Sequence, residues 1–414
     1  MFQRYWSARV GSTIAMQIQT VAIGWQMYDI THSVVDLGLI GLAQFLPAFL
    51  LAIPAGYVAD RRARQAILQV TLSLRAFILV VLTIASYHGA INREALFVFA
   101  ALVGSLRAFE MPAHSALLSQ TVPASLLSRA VAWSASATQG AIIVGPAIGG
   151  YALVVGSDAA YGLAAIFGIA ASLFMRRVHL PPPVQAANAT RGWRFMLGGL
   201  GFIRSKPAIL GAVSLDMVAV LFGGASAMLP VFARDILHTS SAGFGLLRAA
   251  EGVGAVLVAL TLARRPFAHH VGRIMFAAVT TFGVAIVVFA QSHWFVLSWV
   301  ALFVMGGADM VSVVIRQSLI QLDTPDAMRG RVSAVNSLFV GTSNQLGEFR
   351  AGAMAGFLTG VPSVTLCGVV VVGVALLWMR LFPTLLKRDT LAPDVPQSID
   401  PAQATVKEPQ PKEV

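Results

Sequence analysis

Two carboxylates stand where water should be scarce. Asp216 lies in LGAVSLDMVAVLFGG and Asp309 in GGADMVSVVIRQ, and an ionisable group held among so many apolar residues is costly and is kept for a function. Such a carboxylate can alternate between an ion pair and a neutral, protonated acid, which is the chemistry that proton coupling requires. Asp216 has no basic residue within a helical turn on its own segment and is the first candidate; Asp309 follows. Arg107 and Glu110 are three residues apart, as are Arg248 and Glu251. On a helix that spacing puts both members on one face, so each couple reads either as a functional set or as a local ion pair. For Arg248 and Glu251 the local pair is the plainer reading. Arg75 calls for a carboxylate on another helix, and Glu348 suits gating or packing as well as binding. Gln17 and Gln19 add polar groups to the first apolar stretch.

Other chemistries lack their residues. There is no G-x-x-x-x-G-K-[ST] phosphate loop and no G-x-S-x-G elbow, and His269 and His270 are adjacent rather than at the i, i+4 spacing of a helix-borne metal pair. The single Cys367 excludes a disulfide framework. We therefore expect no enzyme, no cofactor and no metal.

The elements that must position these charges are membrane helices. Of 414 residues, 57% are hydrophobic and 11% charged, against roughly 25% charged in soluble proteins. After a short basic start, the apolar stretch to about Tyr28 exceeds a signal-peptide core, and its small-x-small triplet lies inside the run, so it reads as an uncleaved first span. Further spans centre on Phe45, Leu79, Val103, Ile142, Phe167, Ala219, Val256, Val284, Phe303, Val340 and Val371, about twelve in all. Arginine and lysine gather in alternate loops, from Arg61, Arg62 and Arg64 to Arg329 and Arg331. By the positive-inside rule both termini are expected in the cytoplasm. The net charge of +11 is then a topology signal rather than a nucleic-acid surface.

An internal repeat orders these spans. Gly306 to Gly352 aligns without a gap on Gly104 to Gly150, pairing Leu319 with Leu117, Pro325 with Pro123, Arg331 with Arg129 and Gly347 with Gly145. Asp309 falls on Arg107 (309 − 107 = 202), opposite charges at equivalent places that could face each other across a cavity. The repeat predicts an all-α integral membrane protein of two pseudo-symmetric six-helix halves. The first half covers residues 1–178 and the second 207–386. Between them, residues 179–206 form a Pro-rich cytoplasmic linker whose later part suits an interfacial helix. The polar, Pro-rich tail 387–414 is expected to be disordered.

Two motifs make a family resemblance specific. Gly56-Tyr57-Val58-Ala59-Asp60-Arg61-Arg62-Ala63-Arg64 resembles the loop 2–3 signature of the major facilitator superfamily, with Ala63 replacing a glycine. Gly145-Pro146-Ala147-Ile148-Gly149-Gly150 resembles its antiporter motif. The stretches MQIQTVAIGWQMYDIT and MRGRVSAVNSLFVGTSNQLGEF narrow the likeness to the branch that contains the enterobactin exporter and macrolide-efflux-type permeases. The branch pattern continues with an acidic residue where Arg350 stands; were that position to touch substrate, the substrate would differ in charge.

The resemblance implies a cytoplasmic latch at Gly56, Asp60, Arg61 and Arg64, and an export-linked helix at Gly145, Pro146, Gly149 and Gly150. It also implies a central cavity lined by spans 1, 4, 7 and 10. Those spans hold Gln17, Arg107, Glu110, Asp216 and Asp309. The implied function is export of a small amphipathic organic compound across the cytoplasmic membrane by alternating access, with protons as the coupling ion and a monomer as the working unit. Proton-coupled uptake of a metabolite is the alternative within transport; a lipid scramblase or scaffold is the alternative outside it.

Overall fold

The computed structural model describes residues 1–118, 121–123, 126–178, 193–358 and 360–391, and every described regular element is helical. The helices are α1 (Phe2–Thr31), α2 (Val34–Arg61), α3 (Arg64–Tyr87), α4 (Arg93–Leu117), α5 (Leu127–Val155), α6 (Ser157–Arg176), α7 (Trp193–Ser205), α8 (Pro207–Phe222), α9 (Leu229–Val231), α10 (Ser241–Arg264), α11 (Val271–Gln291), α12 (Phe295–Leu322), α13 (Asp326–Leu358), α14 (Gly360–Leu381) and α15 (Pro383–Leu386). Their ends follow local chemistry. The Ser33 hydroxyl accepts from Asp36 N to start α2, and the Asn92 side chain accepts from Ala95 N at 2.9 Å to start α4. His32, in the left-handed region at φ 47°, ends α1.

Nine of the described helical segments are long and apolar enough to cross a membrane, against the dozen expected. The long helices outside that set are α1, α4 and α13, which are as long as their neighbours and carry Gln17, Arg107, Glu110 and Glu348. The linker from 179 to 192 and the tail beyond 391 lie outside the described residues; α7 packs on α13, burying Ile203 beside Val332 and Val335.

The helices form two bundles, and their pairings repeat. In the first, α1 packs on α5 and α6, α2 on α4, and α3 on α6. In the second, α8 packs on α13 and α14, α10 on α12, and α11 on α14. Each of these pairings in one bundle has its counterpart in the other, as a duplicated unit requires.

The bundles meet along two seams, α5 on α10 and α2 on α13. Glycine makes both possible. A Cβ on Gly150 would lie 2.6 Å from Ser241 O and 2.7 Å from the Gly245 Cα; one on Gly38 would lie 2.7 Å from the Gly352 Cα. Small residues let backbones approach this closely. Gly38 and Gly245 lie near the starts of α2 and α10, and Gly150 and Gly352 near the ends of α5 and α13. All four positions are therefore remote from Arg61, Arg129, Arg264 and Arg329. The bundles close on each other at their arginine-poor end.

Candidate functional site

Just inside this closed end lies a cavity of about 340 Å³. The first bundle contributes Gln17 from α1 and Ile142 and Pro146 from α5; the second contributes Val220, Ser226, Arg248, Glu251, Phe282, Met305, Asp309, Asn344 and Glu348. Three carboxylates and one guanidinium thus share one small space, carried by α10, α12 and α13. The Ser226 hydroxyl donates to Glu251 Oε1 at 2.7 Å, and Gln17 Nε2 donates to Ile142 O at 3.3 Å. Arg248 and Glu251 face the same cavity, yet Glu251 is held by Ser226, and no ion pair within 4 Å joins it to Arg248. The local pair expected on α10 is not formed. Among the described residues no cluster of His, Cys, Asp or Glu could hold a metal ion.

The other charged candidates are paired outside the cavity. Asp216 is not alone: Arg316 Nη2 of α12 approaches Asp216 Oδ2 at 3.3 Å, and Ser312 donates to Asp216 Oδ1 at 3.0 Å. Asp216 and Arg316 are 3% and 2% exposed, and Arg316 also donates to Asn336 at 2.7 Å. Glu110 does not pair with Arg107, three residues before it on α4. Its Oε2 takes Arg75 Nη2 of α3 at 2.7 Å, the interhelix partner that Arg75 called for. Arg107 does not line the cavity opposite Asp309. It donates instead, at 3.1 Å, to the Gln345 amide oxygen of α13, with that amide turned so that its nitrogen reaches Gly41 O. Equivalence in the repeat therefore did not bring Arg107 and Asp309 face to face, because the partner on α13 has no pseudo-symmetric copy.

The two motifs settle differently. Gly145 and Gly149 pack on Gln17 and Ile18 of α1, while Gly150 faces Gly245, so the G-P-x-x-G-G stretch lets α5 lie against both bundles at once. In the loop motif, Arg61 lies over the Tyr57 ring at 4.1 Å, Arg64 begins α3 and Gly56 faces open space. The side chain of Asp60 lies outside the described residues.

Sequence reasoning missed a break. After Phe222 the chain leaves the helix at Gly223–Gly224, makes a 3-10 turn at Ala225–Met228, passes through α9, and widens into a π turn at Phe232–Ile236. Arg350 of α13 caps the broken end, donating from Nε to Leu221 O at 2.8 Å and from Nη2 to Phe222 O at 2.9 Å. Its guanidinium lies 4.9 Å from the centre of the Phe222 ring. Orphan carbonyls at a helix C-terminus attract a cation, so Arg350 holds backbone rather than facing the cavity. The Gly-Gly pair was the available signal. Beyond the break, Arg234 pairs with Asp29 and the Tyr28 hydroxyl donates to Asp235, joining the two bundles at the closed end. Arg234 was visible as a basic residue in an otherwise arginine-poor loop.

Comparison with known proteins sets this geometry in context. Residues 1–403 match the family described as transmembrane secretion effector. The enterobactin exporter EntS of Citrobacter koseri is 26% identical over 397 residues, covering 95% of this chain and 94% of that protein. Among solved structures, an inward-facing, unoccupied bacterial homolog of the human lysosomal transporter Spinster superposes with a TM-score of 0.72 at 14% identity, over 93% of this chain and 97% of that one. The nucleoside transporter NupG gives 0.66 at 14%, over 94% and 99%.

Proposed function

The chain belongs to the transmembrane secretion effector family, secondary transporters of the major facilitator superfamily that move a small organic solute across the membrane, and we propose that it works outward, exporting an amphipathic compound in exchange for protons. Twelve helices, six in each bundle, span the cytoplasmic membrane in this reading, with both termini and the arginine-rich end in the cytoplasm. The closed, arginine-poor end faces outward. Export is supported by the likeness to an enterobactin exporter and by the G-P-x-x-G-G stretch of α5.

The observation that carries the reading is the cavity where the bundles meet. With its groups ionised it holds a formal excess of two negative charges, from three carboxylates and one guanidinium. Unpaired charge of one sign is costly away from water. Protons balance it, and a solute that displaces them exchanges with them, which is antiport. Asp309 is the foremost proton carrier, because it reaches the cavity while Asp216 is already paired with Arg316. Rocking of one bundle against the other, with the glycine seams opening as the arginine-rich end closes, presents the cavity to each side in turn.

Reconstituted vesicles test the reading. With a siderophore and a macrolide as probes, an imposed proton gradient should drive accumulation, and Asp309→Asn should abolish the driven component while leaving the fold intact. Accumulation that survives collapse of the gradient, or that is unchanged in Asp309→Asn, would sink proton antiport. Lipid flipping without solute movement would favour a scramblase.

A further inference from the structure

The segment beyond the Gly223–Gly224 break has its two ends in different places. At one end the Ser226 hydroxyl donates to Glu251 in the cavity at 2.7 Å. At the other, Arg234 and Asp235 pair with Asp29 and Tyr28 of α1, closing the outer end. Between them lie only the 3-10 turn, the three residues of α9 and the π turn. Short irregular turns of this kind mark hinges. The helix before the break is fixed, because Arg350 clamps its last carbonyls.

From this arrangement we infer that Glu251 is a positioning residue for the outer gate: it holds Ser226, and through it the segment from Ala225 to Ile236, in the position that lets Arg234 and Asp235 reach α1. The inference rests on the cavity being the transport site. A hydrogen bond to a carboxylate is about twice as strong as one between neutral groups. Neutralising Glu251 with a proton, or engaging it with a cationic part of a solute, weakens its hold on Ser226. The segment then turns about Gly223–Gly224 and takes the gate residues off α1. The charged groups that face Glu251 across the cavity are Arg248 on its own helix, Asp309 on α12 and Glu348 on α13. Cavity and gate are thus joined by one side-chain hydrogen bond and a short, buried stretch of chain.

Hydrogen exchange of the full chain in lipid nanodiscs tests this with protons as the probe. Amides of residues 225–240 and 24–32 are followed at pH 8 and pH 5.5, corrected for the intrinsic pH dependence of exchange. In the wild type, exchange there should rise on acidification. Glu251→Gln and Ser226→Ala should each raise it about ten-fold at pH 8, the change expected from losing a charge-assisted bond, and should remove the response to acid. Ser226→Thr, which keeps the hydroxyl, should restore it, and Asp309→Asn should leave residues 225–240 protected at pH 8. Residues 271–291 report on the overall fold. Wild-type protection in Glu251→Gln and Ser226→Ala would overturn the inference, as would equal opening in Ser226→Thr. Because no transported solute is read, this outcome is separate from failure of the antiport reading, which the vesicle experiment reports.

Discussion

Adding one methyl group at the α5–α10 seam should open the arginine-poor end of the molecule. In Gly150→Ala the new Cβ would lie 2.6 Å from Ser241 O and 2.7 Å from the Gly245 Cα. An ordinary contact is about 3.5 Å, so the helices must separate by roughly 0.9 Å. The atoms it meets are backbone, which cannot rotate away. Overpacking of this kind costs about 1–3 kcal/mol, and here the cost falls only on the conformation in which the seam is closed. At about 1.4 kcal/mol per factor of ten, the ratio of protein closed at that end to protein open there should fall by about five-fold to more than a hundred-fold. Spin labels at Val155 and Phe357, both exposed near the C-terminal ends of α5 and α13, would read the change as a longer distance. The native Cys367 is buried and is a poor competitor for the label. Gly38→Ala should act in the same direction through the other seam. Gly140→Ala, on the same helix as Gly150 but facing open space, should do nothing. Identical distance distributions in Gly150→Ala and wild type would refute the claim that these seams close the arginine-poor end.

Asp216 and Asp309 should separate in their effects. Asp216→Asn leaves Arg316 buried without its carboxylate, which should cost about 3–5 kcal/mol of stability and lower the melting temperature in detergent. The double variant Asp216→Asn/Arg316→Met should recover much of that loss, while Asp309→Asn should melt close to wild type; equal melting of Asp216→Asn and wild type would show that the pair does not hold α8 to α12. Beyond α15, Asp389 lies 2.8 Å from His269 Nδ1 and accepts from the His270 backbone N–H at 2.9 Å. These bonds hold its carboxyl below its ordinary value of 3.8. A lowered carboxylate contributes stability that is present above the ordinary value and lost as pH falls through the folded one. The strap from residue 387 to 391 should therefore stay docked from neutral pH down to about pH 4 and loosen only below that, read by hydrogen exchange of those amides; loosening between pH 7 and pH 5 would contradict it.

The polar residues of the apolar stretches were legible one at a time, and their partners were not. Arg75 announced that it needed a carboxylate, but nothing local to it named Glu110, which is 35 residues away and pairs only because α3 lies against α4. Asp216 looked solitary because its partners Ser312 and Arg316 both come from α12, Ser312 being 96 residues further along the chain. Glu251 and Arg248 show the converse: three-residue spacing brought them to one cavity, while the hydrogen bond went to Ser226 on the broken segment. Arg350, which departs from the family pattern, was open to reading as a substrate contact until the break in the helix before Gly223 supplied two unsatisfied carbonyls for it.

Hydropathy, the alternation of arginine and the repeat between Gly104–Gly150 and Gly306–Gly352 determined by themselves that this is a duplicated, helical membrane protein. Those signals are periodic and local, and lipid leaves the backbone little choice but to form helices. Which charges face a shared cavity, which are spent in ion pairs, and which end of the molecule is shut were decided only by tertiary structure. Each depends on contacts between helices far apart in the chain. A carboxylate's role in a medium of low polarity is set by what faces it, and the chain around it does not encode that.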